Sequence, residues 1–103
     1  MKNRYKAGAD FERRVALWYE EQGSEAIRSA GSHGVFDVIA LFPTHIVVNT
    51  LRISNYWSPV EKEVFEWAVK RLRLNGLPYA GRYVWRGDKH DKYKIHFKEV
   101  ASG

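Results

Sequence analysis

The period of the apolar positions changes along this 103-residue chain. Over residues 8–22, Phe11, Val15 and Trp18 recur at the spacing of one helix face, which predicts a first helix that Gly23 ends. A second helical stretch lies in the middle of the chain, and residues near the C-terminus alternate between apolar and polar. The pattern therefore predicts a protein built from both helices and strands.

The second helix has a well-defined predicted start. Ser58 can cap it, Pro59 suits the first helical position, and Glu61 completes a capping box. The Asn75-Gly76 pair, with Pro78 beyond it, predicts the end. The apolar stripe expected to pack on the rest of the protein consists of Val60, Val64, Trp67, Ala68 and Leu72.

Strands are predicted between and after these helices. The first two long ones should pair as a hairpin across the Pro43 turn. In the last strand Tyr93, Ile95 and Phe97 should face the core and leave the intervening basic residues on the other face. The predicted strands are 26–27, 35–41, 46–53, 79–86 and 93–100. The order helix, three strands, helix, two strands predicts an α/β domain, a mixed β-sheet flanked by helices.

Composition narrows the class of protein. A chain of 103 residues with 45% apolar and 15% aromatic residues is expected to form one domain, residues 1–103. Seventeen Lys and Arg against twelve Asp and Glu give a net charge of +5, which favours a polyanionic partner such as nucleic acid. The lack of cysteine excludes a disulfide framework. No apolar run is long enough for a membrane span or a signal peptide, so we expect an intracellular protein, in the cytoplasm or nucleoid.

The candidate chemistry centres on residues 28–37, RSAGSHGVFD. Here Arg28 leads into a loop of small residues, and Asp37 stands at the start of an apolar run. A carboxylate beside an apolar core needs a cation, a hydrogen-bond donor or a metal. A second acid, Glu12, lies on the first predicted helix. Two acids from separate elements of a basic chain indicate metal-dependent chemistry on a polyanion.

These residues carry a resemblance to a known family. The Glu12-Arg13 helix, the Arg28-Ser-Ala-Gly-Ser loop and Asp37 on its strand resemble the archaeal-type Holliday-junction resolvases, including those of phages and archaeal viruses. Those enzymes are small dimers of the PD-(D/E)XK nuclease superfamily. The resemblance implies a restriction-endonuclease-like core, a homodimer, and Mg²⁺- or Mn²⁺-dependent hydrolysis of phosphodiesters in four-way DNA junctions.

The resemblance also implies roles for particular residues. Glu12 and Asp37 would be metal ligands, Arg13 and Arg28 would contact phosphates, and Ser32 would lie beside the scissile phosphate. The basic N-terminal residues Lys2, Arg4 and Lys6, and the basic face of the last strand with Lys92 and Lys94, would contact DNA. The alternative for that strand face is an ordinary solvated surface.

The chain departs from the family pattern on the strand after Asp37. The family has Glu-x-Lys or Gln-x-Lys there, and the hairpin register puts Thr50 and Arg52 at those positions. Thr50 offers only a hydroxyl or a carbonyl oxygen. Arg52 can stabilise charge on phosphate but cannot act as a general base, because a guanidinium stays protonated in proteins. Lys62 on the second helix is a candidate substitute for the missing lysine.

The departure leaves several functions open. The first is a junction-resolving endonuclease that uses Glu12, Asp37, Thr50 and Arg52. The second is a catalytically impaired or inactive relative that binds branched DNA without cutting it, and the third is a general nucleic-acid-binding module whose acids are structural. Tyr56 and Trp57, which precede the second helix, are expected in the core or in a dimer contact.

Overall fold

A computed structural model describes residues 3–29, 34–74 and 79–100, with the side chains of residues 6–29, 34–72 and 79–100. The element order agrees with the predicted one, with a short 3-10 turn added at Lys89–Asp91. The elements are α1 Asn3–Glu21, β1 Glu25–Arg28, β2 Val38–Leu41, β3 Ile46–Arg52, α2 Pro59–Leu74, β4 Tyr79–Arg86 and β5 Ile95–Glu99. The described part of the chain holds no helix long and apolar enough to cross a membrane.

The strands form one five-stranded sheet in the order β1-β2-β3-β4-β5. All neighbours are antiparallel except β3 and β4, which are parallel and are connected through α2. The predicted hairpin is confirmed, since β2 pairs with β3 and Val38 lies opposite Asn49. The predicted α/β class, a mixed sheet flanked by helices, is therefore confirmed.

The two helices cover opposite faces of the sheet. Neighbouring residues of one strand point to opposite faces, and Val47 packs in the α1 cluster whereas Val48 packs in the α2 cluster. On α1 the predicted face is confirmed, because Phe11 and Val15 are buried and Trp18 is partly buried against them. The helix ends close to its predicted boundary, where Gly23 adopts a φ of +100° that favours glycine.

The apolar stripe predicted on α2 is wrong at Val60, Val64 and Trp67, whereas Leu72 packs against the core as predicted. Val60 and Trp67 are 67% and 59% exposed, whereas Phe65 and Val69 are buried against the sheet. Both sets recur at helical spacing, so periodicity alone cannot choose between them. The choice depends on the sheet surface, where Gly81 of β4 leaves room for Val69: a Cβ on Gly81 would lie 2.6 Å from a Val69 methyl.

Two predicted strands begin later than expected. β2 starts at Val38 rather than at residue 35, and β5 starts at Ile95 rather than at residue 93. Lys92 and Tyr93 have φ values of 61° and 57°, so the chain turns there and cannot continue an extended strand. The predicted basic stripe is therefore interrupted, and the exposed Lys92 and Lys94 lie on the turn before β5.

A buried polar network that the sequence did not predict crosses the sheet beneath α1. Asn49 is fully buried, accepts a hydrogen bond of 2.6 Å from the Tyr19 hydroxyl and donates to the Val38 carbonyl at 3.0 Å. Arg82 donates to the Tyr19 hydroxyl at 3.2 Å and pairs with Glu99 at 3.3 Å. A shift of β3 by one residue would move the Asn49 amide to the other face of the sheet, away from its hydrogen-bond partners. The network therefore favours the observed register.

We predict opposite effects for two glycine-to-alanine substitutions. Gly81→Ala should lower the free energy of unfolding by about 1–3 kcal/mol, because its methyl would overlap Val69 and push α2 from the sheet. Gly8→Ala should raise it by about 0.5–1 kcal/mol, because Gly8 lies within α1 with open space around it. Urea unfolding of both variants measures this, and equal effects would refute the packing of Val69 against Gly81.

Candidate active site

Asp37 lies one residue before β2, at the edge of the sheet where β3 ends. Its carboxylate oxygen Oδ2 accepts a 2.8 Å hydrogen bond from the Leu51 N–H and a 3.4 Å bond from the Thr50 hydroxyl. Burial raises the pKa of Asp37 above its ordinary value, and the Leu51 N–H, the Arg52 charge and the Thr50 hydroxyl oppose that rise. The site therefore holds a carboxylate whose charge is only partly compensated.

Thr50 stands directly beside this carboxylate. Its side chain is buried, and its hydroxyl accepts a 3.2 Å bond from the indole N–H of Trp57 while it donates to Asp37. Trp57 is itself buried against the sheet, so it belongs to the core. Position 50 thus presents a neutral hydroxyl that donates to Asp37.

Glu12 approaches the same edge from α1. Burial raises the pKa of Glu12, the negative charge of Asp37 raises it further, and Arg28 lowers it. The Arg28 guanidinium lies 3.8 Å from the Glu12 carboxylate, and both side chains are partly buried. The fold therefore brings together two acids from separate elements, close enough for each to feel the other's charge, with Arg28 beside them.

Arg52 is held on the α2 side of the site. Its guanidinium forms an ion pair with Glu61 and donates to the Leu51 carbonyl at 2.9 Å. Glu61 also accepts from the Ser58 N–H at 2.8 Å while its own N–H donates to the Ser58 hydroxyl at 3.1 Å, which confirms the predicted capping box. The Ser58 N–H and Arg52 lower the pKa of Glu61. Arg52 is therefore fixed by the residue that caps α2.

A cavity of about 270 Å³ joins these groups. Asp37, Thr50 and Arg52 line it together with Glu61 and Val60 from the first turn of α2. Sequence reasoning identified Glu61 as a helix cap but missed its place at the site. The nine-residue separation of Arg52 and Glu61 gave no sequence signal, because their contact depends on the turn between β3 and α2.

The other predicted site residues are distributed differently. Arg13 and Lys6 lie on the exposed side of α1, where both contact Asp10, at 2.9 Å and 3.2 Å. Lys62 lines a separate cavity with Glu66 and Tyr83, so it does not supply the missing lysine at Asp37. Ser32, Lys2 and the side chain of Arg4 lie outside the described residues.

The described residues contain no cluster of three or more acids or histidines that could hold a metal. Glu12 and Asp37 are two carboxylates whose mutual repulsion a cation would relieve. Mg²⁺ commonly takes one or two protein carboxylates and completes its shell with water and substrate phosphate. The residues present therefore fit a divalent cation that relies on substrate for further ligands.

Comparison with known proteins identifies the fold. The mixed sheet and its flanking helices form the restriction-endonuclease-like fold of Hjc from Archaeoglobus fulgidus, a Holliday junction resolvase from an archaeal hyperthermophile. That structure superposes with a TM-score of 0.59 at 23% identity, covering 88% of this chain and 74% of that one. No curated protein matches the chain.

The family assignment comes from the sequence. A family model described as archaeal Holliday junction resolvase (Hjc) matches residues 3–63, which is more than half of the chain. The chain belongs to this archaeal Holliday junction resolvase family, as its sequence resemblance predicted. The matched region runs from α1 into α2 and contains Glu12, Arg28, Asp37, Thr50 and Arg52.

We predict that Asp37→Asn stabilises the protein at neutral pH. The pKa of Asp37 is higher in the folded state than in the unfolded state. The contribution of Asp37 to the free energy of unfolding is therefore greatest below the unfolded pKa, near about pH 4, where the carboxyl is protonated. That contribution is lost as pH rises through the folded pKa. The gain of the Asn variant over wild type should therefore grow over that window and then level off. Urea unfolding at a series of pH values measures it.

Asp10→Asn is the matched control, since Arg13 and Lys6 lower the pKa of the exposed Asp10. The contacts of Asp10 with Arg13 and Lys6 contribute stability above the unfolded pKa of Asp10. The control should therefore be slightly destabilising at neutral pH and should have no effect on stability in acid. An Asp37→Asn variant that is less stable than wild type at pH 7 would show that its carboxylate is fully compensated.

Proposed function

We propose that this protein is a structure-specific DNA endonuclease that hydrolyses phosphodiesters in four-way junctions. The observation that carries this proposal is the convergence of Glu12, Arg28 and Asp37 at one sheet edge, within the part of the chain that matches the resolvase family. The net charge of +5 favours DNA as the partner. We infer a single nuclease domain over residues 1–103, and an intracellular location stays a prediction.

Glu12 and Asp37 would hold a divalent cation, Mg²⁺ or Mn²⁺. Such an ion, when bound, relieves the charge that builds on phosphate oxygens and makes a water molecule a better nucleophile. Burial raises the pKa values of both carboxyls, and a bound cation would favour their deprotonated forms. Binding of the cation should therefore release protons and should weaken as pH falls.

The basic residues around the two acids would position the DNA backbone. Arg28 lies at the acids and would contact the scissile region, whereas Lys6 and Arg13 on the outer side of α1 would contact a phosphate further along a junction arm. Arg52 would reach phosphate only by leaving Glu61, so that contact costs an ion pair. Ser32, Lys2, Arg4, Lys92 and Lys94 complete the proposed DNA-binding set.

A second candidate function is junction binding without cleavage. It is favoured by Thr50, whose hydroxyl is engaged with Asp37 and Trp57, and by Arg52, which is paired with Glu61. Neither residue supplies an anionic ligand or a general base. In this alternative the fold and the basic surface serve recognition of the junction alone.

We predict paired, metal-dependent nicks when the purified protein meets a labelled four-way junction with Mg²⁺ or Mn²⁺, and none with EDTA. Asp37→Asn should lower the rate by more than about 100-fold, because even residues that only orient metal ligands cost 10–100-fold. It should bind the junction at least as tightly, since it removes a negative charge near phosphate. Glu63→Gln, on the exposed side of α2, is the matched carboxylate-to-amide control.

Tight junction binding without nicks under either metal would reject the nuclease and support the binding protein. In that case the double variant Thr50→Glu, Arg52→Lys tests the cause, since it restores the family's acid and lysine. A linear duplex at the same salt concentration is needed throughout, because phosphate contacts make affinity steeply salt-dependent. Equal affinity for junction and duplex would reject both junction functions.

The exposed apolar face of α2 supports the proposed homodimer. Val60, Val64 and Trp67 lie on one side of the helix with 67%, 46% and 59% of their surfaces exposed, and Tyr56 just before it is 65% exposed. The Arg71 guanidinium lies 4.7 Å from the Trp67 ring centre. Aromatic and arginine side chains concentrate at the centres of protein interfaces. A two-fold dimer would present two equivalent sites to opposed strands of a junction.

We predict that Trp67→Glu weakens dimerisation by at least about tenfold, since it removes an aromatic anchor and adds an unpaired charge. Lys70→Glu, an exposed change on the same helix, is the control and should leave dimerisation within about threefold. Sedimentation velocity over a range of protein concentrations measures both. A wild-type protein that stays monomeric at every concentration would overturn the dimer proposal.

A further inference from the structure

A second cleft lies beside the candidate active site, at the ends of β3 and β4. It has a volume of about 590 Å³, and Asn55, Trp85, Arg86, Lys89, Tyr93 and His96 contribute to its lining. Trp85 is the pairing partner of Arg52 across the parallel strands. The cleft therefore begins one strand away from Arg52, on the same edge of the sheet as Asp37.

The turn that forms one wall of this cleft has an unusual backbone. Lys92 and Tyr93 are consecutive non-glycine residues with positive φ, 61° and 57°. This conformation is uncommon for a bulky residue such as tyrosine and persists only where the surroundings fix it. Two backbone bonds do so here: the Tyr93 N–H donates to the Asp88 carbonyl at 2.9 Å, and the Gly87 N–H donates to the Lys94 carbonyl at 2.8 Å.

The strained turn presents an aromatic ring at the surface. Tyr93 is 45% exposed, and the Arg86 guanidinium lies 5.0 Å from its ring centre. The buried Nε of Arg86 has no hydrogen-bond partner within the described part of the chain. A ring paired with a guanidinium in an open cleft is suited to stacking on a planar group that also carries negative charge.

The two acids of this cleft each contact neighbouring groups, and the buried Oδ1 of Asp91 has no hydrogen-bond partner within the described part of the chain. Asp91 lies 2.5 Å from His96 Nε2, and that contact lowers the pKa of Asp91. Asp88 accepts from the backbone N–H groups of His90 and Asp91. The lining of the cleft contains two cations, Arg86 and Lys89, against these two acids. Arg86 and Lys89 are therefore the groups of the cleft that suit an anion.

We propose that this cleft binds a nucleotide next to the scissile phosphate, with Arg86 and Lys89 on its phosphate and Tyr93 stacked on its base. This proposal rests on the proposed junction function and gives a physical reason for a preference for branched over linear DNA. A base at a branch point has lost part of its stacking, so it reaches an aromatic platform at lower cost than a base within a duplex. Tyr93 thereby favours branched over linear DNA.

The test compares junction and duplex affinity of the full chain at one salt concentration. Tyr93→Gly removes the ring and also suits the positive φ, so it should fold at least as well as wild type. It should weaken junction binding by about 5- to 100-fold, the range for loss of one stacked base, and duplex binding by less than about twofold. Tyr93→Phe keeps the ring and should bind both DNAs within about twofold of wild type.

Lys92→Asn is the matched control for the backbone. Asparagine tolerates the same left-handed conformation, so this variant removes a charge without removing the platform. It should weaken junction and duplex binding equally and leave their ratio unchanged. A 2-aminopurine base placed beside the cleavage position gives a direct readout, since its fluorescence should change with wild type and Tyr93→Phe but not with Tyr93→Gly.

The possible outcomes distinguish the proposed stacking role of Tyr93 from the proposed junction function. Loss of junction preference only in Tyr93→Gly supports the platform. A wild-type preference that Tyr93→Gly retains in full would overturn the platform and leave the junction function intact. A wild-type protein that binds junction and duplex equally would overturn both, because no selectivity would remain for Tyr93 to provide.

Discussion

The partial burial of the Asp37 carboxylate is the constraint around which the sheet edge is organised. A charge in that position must be compensated, and the chain does so with the Leu51 N–H, the Thr50 hydroxyl and the nearby Arg52. Each of these groups is tied further into the fold. Thr50 accepts from Trp57, and Arg52 pairs with Glu61, which caps α2. A continuous set of polar contacts thus connects β2, β3 and the start of α2.

This arrangement also gives a physical reason for a threonine at position 50. A third acid at position 50 would lie in contact with Asp37 and add repulsion to a carboxyl whose pKa burial already raises. Threonine instead donates a hydrogen bond to that carboxyl. Thr50 therefore compensates the charge of Asp37 but offers no anionic ligand for a metal.

The sequence predicted the elements because their signals are local. The capping box at Ser58, the glycine at the end of α1 and the alternation in the strands all depend on residues close together in the chain. The buried face of α2 was not predictable in this way, because Gly81, more than ten residues away, selects Val69 over Trp67. The left-handed backbone at Lys92 and Tyr93 was also missed, since neither residue type signals a positive φ.

The residues of the candidate site also fall into those that the sequence identified and those that only the fold shows. The family pattern identified Glu12, Arg28 and Asp37, which the fold brings together. It could not reveal that Glu61 holds Arg52 or that Tyr19, Asn49 and Arg82 form a buried network, because these contacts join elements that only the tertiary fold places side by side. Polar contacts of this kind leave no periodic trace in a sequence.

The strand order has a consequence for how the chain folds. Every strand lies beside its neighbour in sequence, so three of the four strand pairs can form through short connections and only the β3-β4 pair must wait for the α2 crossover. The entropy cost of closing the long connection between β3 and β4 should dominate the folding barrier. We therefore expect the β1-β2-β3 unit with α1 to form early, and the docking of α2 and the β4-β5 hairpin to limit the rate at which the active-site edge is completed.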